Sequence, residues 1–230
     1  MGLTRRQLIG AGALAGLASL EAQFSSVAHA LSPDIANGPR DKNQIALTFH
    51  GNGESANAKK LLQIFKSTKT PVTVFAVGTW LRANPTLASQ IISQGHDIGN
   101  HTYSHTQMKT ISAAKVDSEI ALCAALLKKQ IGNHGAFFRP SGTQYSTALI
   151  RKTAAKYGYS QCISYDVDSH DYQDPGKAAV ISHTMKNIKN GSIVSLHFGH
   201  QNTIDALPTL LEKIHAQGLT PVTLSTLLGK

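Results

Sequence analysis

The strongest constraint on this chain is a regular alternation of short β-like runs and amphipathic helical stretches, joined at Gly and Pro. Runs at 44–49, 71–76, 96–100, 136–138, 161–167, 192–197 and 221–224 read as seven strands. Helical stretches fall between them at 56–66, 85–93, 112–130, 146–157, 176–186 and 204–216. In the longest, Val116, Ile120, Cys123, Leu127 and Ile131 recur at helical spacing, and Gly132 stops the helix. Strands that alternate with helices pair in parallel, because each helix is the crossover that returns the chain. The expected class is therefore α/β, as a doubly wound sheet or an incomplete, distorted (β/α) TIM-like barrel of about seven strands. In both layouts chemistry collects at the C-terminal ends of the strands.

The first thirty residues carry a different pattern. Arg5 and Arg6 precede an apolar stretch at 8–20, and Ala28-His29-Ala30 follows. A basic start, a short apolar region and an Ala-x-Ala site make a secretory signal peptide. Thirteen residues reach only about 20 Å, short of the roughly 30 Å hydrocarbon core of a bilayer. The paired arginines and Gly-rich core resemble a signal for the twin-arginine route. Cleavage after Ala30 removes two arginines and one glutamate, so the formal charge falls from +9 to +8. The expected organisation is a signal peptide at 1–30, a polar lead-in at 31–43 and one domain at 44–230. The mature protein is expected in the periplasm, cell envelope or extracellular space, with no stable membrane insertion.

Composition removes several alternatives. Hydrophobic residues at 41% are too many for intrinsic disorder. Two cysteines exclude a disulfide scaffold or a four-cysteine zinc module, and leave the pairing of Cys123 with Cys162 undecided. The basic charge suits anionic polymers in general. Without basic runs interleaved with aromatics, it gives no support to nucleic acid as partner.

The polar clusters all follow strands. Strand one ends in His50-Gly51-Asn52-Gly53-Glu54, and strand three runs into His101 and His105. Strand four leads to Arg139-Pro140-Ser141-Gly142, strand five to Asp168, His170, Asp171 and Tyr172, and strand six to His197 and His200. Two imidazoles four residues apart, leaving a strand, can converge on one transition-metal cation such as Zn²⁺. Of the eleven histidines, His170 and His200 read as rim residues, and His96, His134, His183 and His215 as ordinary surface or core positions. Trp80, the only tryptophan, reads as core packing rather than a sugar platform.

These motifs, in this order, resemble the polysaccharide deacetylases with a NodB-homology domain. The resemblance rests on Leu47-Thr48-Phe49, Ile98 to His105, Phe138-Arg139-Pro140, Asp168 to Tyr172 and Ser195-Leu196-His197, and covers about residues 44–228. It implies metal-dependent removal of acetyl groups from cell-wall or chitin-like polysaccharide, the cation polarising the acetyl carbonyl and activating water. By the same resemblance His101 and His105 are metal ligands, and His197 protonates the leaving amine or alkoxide. Arg139 and Asp171 orient the catalytic groups, Gly142 offers a backbone amide to the oxyanion, and Asp168 and Tyr172 belong to the substrate side.

The first motif departs from the family, which usually reads Thr-Phe-Asp-Asp-Gly; here it is Thr48-Phe49-His50-Gly51-Asn52. Neither carboxylate is present. His50 either completes a three-histidine metal site, or acts as the base while Asn52, Glu54 or water fills the coordination sphere. The third alternative is an inactive scaffold that only binds glycan. The preferred expectation is His50 on the metal, with its imidazole held neutral by Arg139. In the third motif Arg139-Pro140-Ser141-Gly142 replaces the family's Arg-Pro-Pro-Tyr-Gly, which removes an aromatic surface for stacking. Hydrolysis of a different amide or ester is a further alternative, since fold does not fix substrate.

Overall fold

The structure is a computed structural model that describes residues 33–230; the signal peptide expected at 1–30 lies outside them. Strand β1, Gln44–Gly51, is central because Ile45, Ala46, Leu47, Thr48 and Phe49 are all fully buried. A strand covered on both faces reads as a continuous apolar run rather than an alternation. β1 pairs in parallel with β2 (Thr73–Ala76), β5 (Ile193–His197) and, through its first residues, β6 (Thr220–Val222). With β3 (Asp97–Asn100) and β4 (Val167–Asp168), the order is β3-β2-β1-β5-β4, and β6 lies alongside β1.

Seven expected strands become six among the described residues. The run at 136–138 contributes only single bridges, Asn100 to Phe138 and Phe138 to Cys162, and of 161–167 only Val167 enters a ladder. Gly135 and Pro140 flank the shorter run, and Pro140 has no N–H to extend a ladder. These bridges still carry the parallel neighbours from β3 round to the segment whose far end pairs with β5. The result is the incomplete barrel layout, with regular ladders on one side and isolated pairs on the other. The lead-in takes part: Ile35 accepts from Ser164 N at 2.7 Å and donates to the Cys162 carbonyl at 2.9 Å.

The helices are α1 (Ser55–Thr68), α2 (Gly78–Ala83), α3 (Leu87–Ser93), α4 (Ala113–Ile131), α5 (Ala148–Lys156), α6 (Lys177–Asn187), α7 (Gln201–Ala216) and α8 (Leu224–Leu228). The helix expected at 85–93 is α3, and the separate short helix α2 precedes it. Pro85 disfavours helical backbone at Asn84, where φ is −130° and α2 ends. The last strand stops at Val222, because the Thr223 side chain caps α8 by accepting from Thr226 N. α4 matches its periodicity: Val116, Ile120, Cys123 and Leu127 are buried, Ser112 caps the start and Gly132, at φ +83°, closes the end. Phe49, Phe65 and Phe198 stack in the main core, with ring centroids 5.0 to 6.3 Å apart. Both cysteines are buried and free. Among the described residues, no helix is long and apolar enough to cross a membrane.

Candidate active site

The β1–β5 register sets His50 directly beside His197, and their ring centroids are 4.3 Å apart. Parallel neighbours in register present their side chains on one face, so Thr48 and Ser195, two residues earlier, form the layer beneath. β3 hands the chain to His101 across the same face, and the His50 and His101 rings are also 4.3 Å apart. Among the described residues, His50, His101 and His105 form a cluster whose potential ligand atoms lie within 4.8 Å of one another. Glu54 stays outside that cluster.

The loop bearing the histidine pair is held from below. Thr102 and His105 adopt left-handed backbone, φ +67° and +56°, which a non-glycine residue keeps only when its surroundings enforce it. Asn100 Oδ1 accepts from Thr102 N at 2.8 Å, while its Nδ2 donates to the Ile120 carbonyl and to the Tyr159 hydroxyl. Glu119, fully buried on α4, accepts from Ser104 N at 2.7 Å and from Ser104 Oγ at 2.6 Å, and pairs with Lys115. Sequence reasoning missed Glu119, whose only signal was an acid on the apolar face of α4.

The tautomer of His101 follows from its partner. Nδ1 lies 2.9 Å from the Arg139 carbonyl, which can only accept, so Nδ1 carries the proton. Nε2 is then a bare lone pair, and it is buried without a hydrogen-bond partner. Orphaned buried acceptors are rare, and one facing two further imidazoles fits a cation. Three histidine nitrogens with an open fourth position suit zinc. Burial first, then the neighbouring imidazoles and Arg139, hold His50 well below the ordinary histidine value. Burial and His105 do the same to His101, so both rings are neutral, and the bare Nε2 of His101 is able to ligate.

Arg139 is 1% exposed and reaches the floor of the cluster. Nη1 donates to Thr48 Oγ1 at 2.8 Å and lies 3.2 Å from His50 Nε2; Nη2 donates to the Ser164 carbonyl at 2.8 Å. The Phe75 ring covers it at 4.2 Å. Burial lowers the guanidinium pKa to about 9.

On the other side, Asp171 accepts from His197 N at 2.8 Å, His197 Nδ1 at 2.7 Å and Thr203 Oγ1 at 2.5 Å. Burial works to raise the Asp171 pKa, but the hydrogen bonds and the imidazole outweigh it and keep the carboxylate ionised. With Nδ1 committed to Asp171, His197 Nε2 is the atom left for proton transfer. The cleft above has a volume of about 360 Å³ and is lined by His50, His105, Gly142, Tyr172 and His197 together with Gln107, Gln144, Tyr165 and Ser195. The last four were not singled out as site residues; only Ser195 had a signal, its even spacing from His197. Asp168 does not line the cleft: its Oδ1 accepts from His170 N at 2.9 Å and shapes its own turn. Trp80 packs in the core, its Nε1 donating to the Gly53 carbonyl at 3.0 Å.

A parallel α/β scaffold brings an imidazole cluster and an Asp–His pair to one cleft. Residues 37–162 match the family profile described as polysaccharide deacetylase. A peptidoglycan-N-acetylglucosamine deacetylase of Bacillus cereus is 32% identical over 194 residues, which cover 83% of this chain and 90% of the relative. The chain belongs to the polysaccharide deacetylase family, hydrolases of C–N bonds. A solved peptidoglycan N-acetylglucosamine deacetylase superposes with a TM-score of 0.78 at 26% identity, covering 85% of this chain and 92% of that one. A CE4 family pseudoenzyme of Bacillus anthracis gives 0.79 at 25% identity, covering 86% and 69%.

Proposed function

We propose that this protein is an exported, metal-dependent deacetylase that removes acetyl groups from cell-wall or chitin-like glycan. The observation that carries the proposal is the orphaned, buried Nε2 of His101 within the His50, His101 and His105 cluster, beside the Asp171–His197 pair. The three histidines are the ligands, and zinc is the ion their chemistry favours. When bound, such an ion supplies Lewis acidity to the acetyl carbonyl and to the attacking water.

The chain's own groups supply the rest. His197, oriented by Asp171, takes up at Nε2 the proton that the attacking water loses and delivers it to the departing nitrogen, so that one water and one amide give acetate and the ammonium form of the amine. The Gly142 segment lines the cleft and offers a backbone N–H to the oxyanion. Tyr172, 44% exposed and 5.5 Å from the His197 ring, presents a face on which a sugar can stack. Asp168, through the turn it shapes, holds Tyr172 in place. The relatives named as peptidoglycan deacetylases, and the signal peptide at 1–30 with its paired arginines, support an envelope substrate reached by the twin-arginine route.

A second reading is a catalytically inactive glycan-binding protein on the same fold. It is favoured by the loss of both carboxylates from the first motif, and by structural relatives described as pseudoenzymes. Metal analysis of the mature protein, with acetate release from chitooligosaccharides and peptidoglycan, separates the two. No metal and no acetate would sink the deacetylase. If His50→Ala keeps full metal and loses turnover, His50 is the base and not a ligand.

A further inference from the structure

His50 lies 3.2 Å from an Arg139 Nη1 that can only donate. His50 Nε2 must therefore be the acceptor, and the single ring proton of the neutral imidazole sits on Nδ1. In this state neither nitrogen has a free lone pair: one is protonated, and the other faces a guanidinium. A metal ligand needs a bare nitrogen. Recruiting Nε2 breaks the Arg139 contact, and recruiting Nδ1 moves the proton to Nε2, where it meets the guanidinium N–H head on. Both routes cost the same hydrogen bond.

Arg139 has little freedom to withdraw. Nη2 is tied to the Ser164 carbonyl, Nε to the Ile163 carbonyl at 3.3 Å and Nη1 to Thr48 Oγ1, and the Phe75 ring lies against the plane. Among the described residues, no carboxylate is hydrogen-bonded to Arg139 to draw its donors away from His50. His101 differs, since its Nδ1 proton is fixed on a carbonyl and its Nε2 is already bare.

We propose that Arg139 competes with the metal for His50, so that the guanidinium lowers the affinity that the three histidines would otherwise give. His101 and His105 form the standing half of the site, and His50 joins only when its bond to Arg139 breaks. This rests on the metal reading above and adds a determinant of affinity to it.

The test begins with metal-free protein, by ¹⁵N-resolved NMR of the imidazoles. The expected result is a proton on His50 Nδ1 and an Nε2 shifted as a hydrogen-bond acceptor; a proton on Nε2 overturns the proposal without any variant. Calorimetric titration with Zn²⁺ then compares the native protein with Arg139→Met. The variant is expected to bind about 10- to 100-fold tighter, the worth of one hydrogen bond to a charged group. Equal or weaker binding by a folded variant overturns the proposal and leaves the deacetylase reading standing. Failure of both proteins to bind Zn²⁺ removes the metal reading itself, and this proposal with it. Should Arg139→Met not fold, the NMR result alone decides.

Discussion

Asp171 grips His197 at two points, Oδ2 on the backbone N–H at 2.8 Å and Oδ1 on the ring Nδ1 at 2.7 Å. The double hold fixes the ring's rotation and its tautomer, and Thr203 on α7 donates a third hydrogen bond, to Oδ2. Asp171→Asn trades one of three accepted bonds for a donor. Turnover is expected to fall about 10²- to 10⁴-fold, the usual contribution of a positioned acid. Metal content should be unchanged, and acetate release with elemental analysis checks both; loss of metal in this variant would contradict the division of labour.

His101→Ala removes the bare Nε2, and with it the proton that satisfies the Arg139 carbonyl. Zn²⁺ occupancy is expected to vanish. His105→Ala should do the same, with a smaller change in melting temperature because, among the described residues, its ring has no hydrogen-bond partner in another residue. Full occupancy in either variant would refute the site.

Glu119 has no contact with the cleft, yet it holds Ser104 through two bonds and thereby the backbone leading to His105. Glu119→Gln leaves one acceptor for three donors in a buried setting. Stability should drop by about 1–3 kcal/mol, the cost of a buried polar group left short of partners. Thermal melts test that figure. Zn²⁺ titration should show weaker binding, whereas unchanged affinity would reduce Glu119 to a purely structural role.

The metal-free protein should weaken as acid is added. Folding lowers the pKa of His50 and His101 below the ordinary value of 6.5. Below that value the unfolded chain takes up protons that the folded site refuses, so the unfolded state gains. The contribution is full above 6.5 and is lost as pH falls towards the depressed folded values. The slope is about 1.4 kcal/mol per pH unit for each histidine that stays neutral. Melting curves in chelator across this range are expected to shift downwards with falling pH; a flat or rising profile would show that the imidazoles are not held neutral.

Much of the fold was legible because its signals are local. Periodicity at 3.6 located α4 to within a residue, and the apolar run at 44–49 marked β1 as a strand. Where the reading failed, tertiary context prevailed. The run at 136–138 has strand composition, but it is bounded by Gly135 and Pro140 and finds one bridging residue on each side. Leu224 looked like the end of a strand until the Thr223 cap turned it into the start of a helix.

The chain alone established the alternation that requires a parallel α/β fold, the strand-end placement of most clusters, and the exchange of the usual Asp pair for His50. Those properties depend on residue type and spacing, which a linear string carries in full. The β1–β5 register decided that His50 stands beside His197, and a carbonyl from a residue 38 positions away decided the tautomer of His101. The buried Arg139 decided which nitrogen of His50 points away from the floor. Such relationships arise only when loop closure brings distant donors and acceptors to within 3 Å. At that range the direction of a single proton separates a ligand from a hydrogen-bond acceptor.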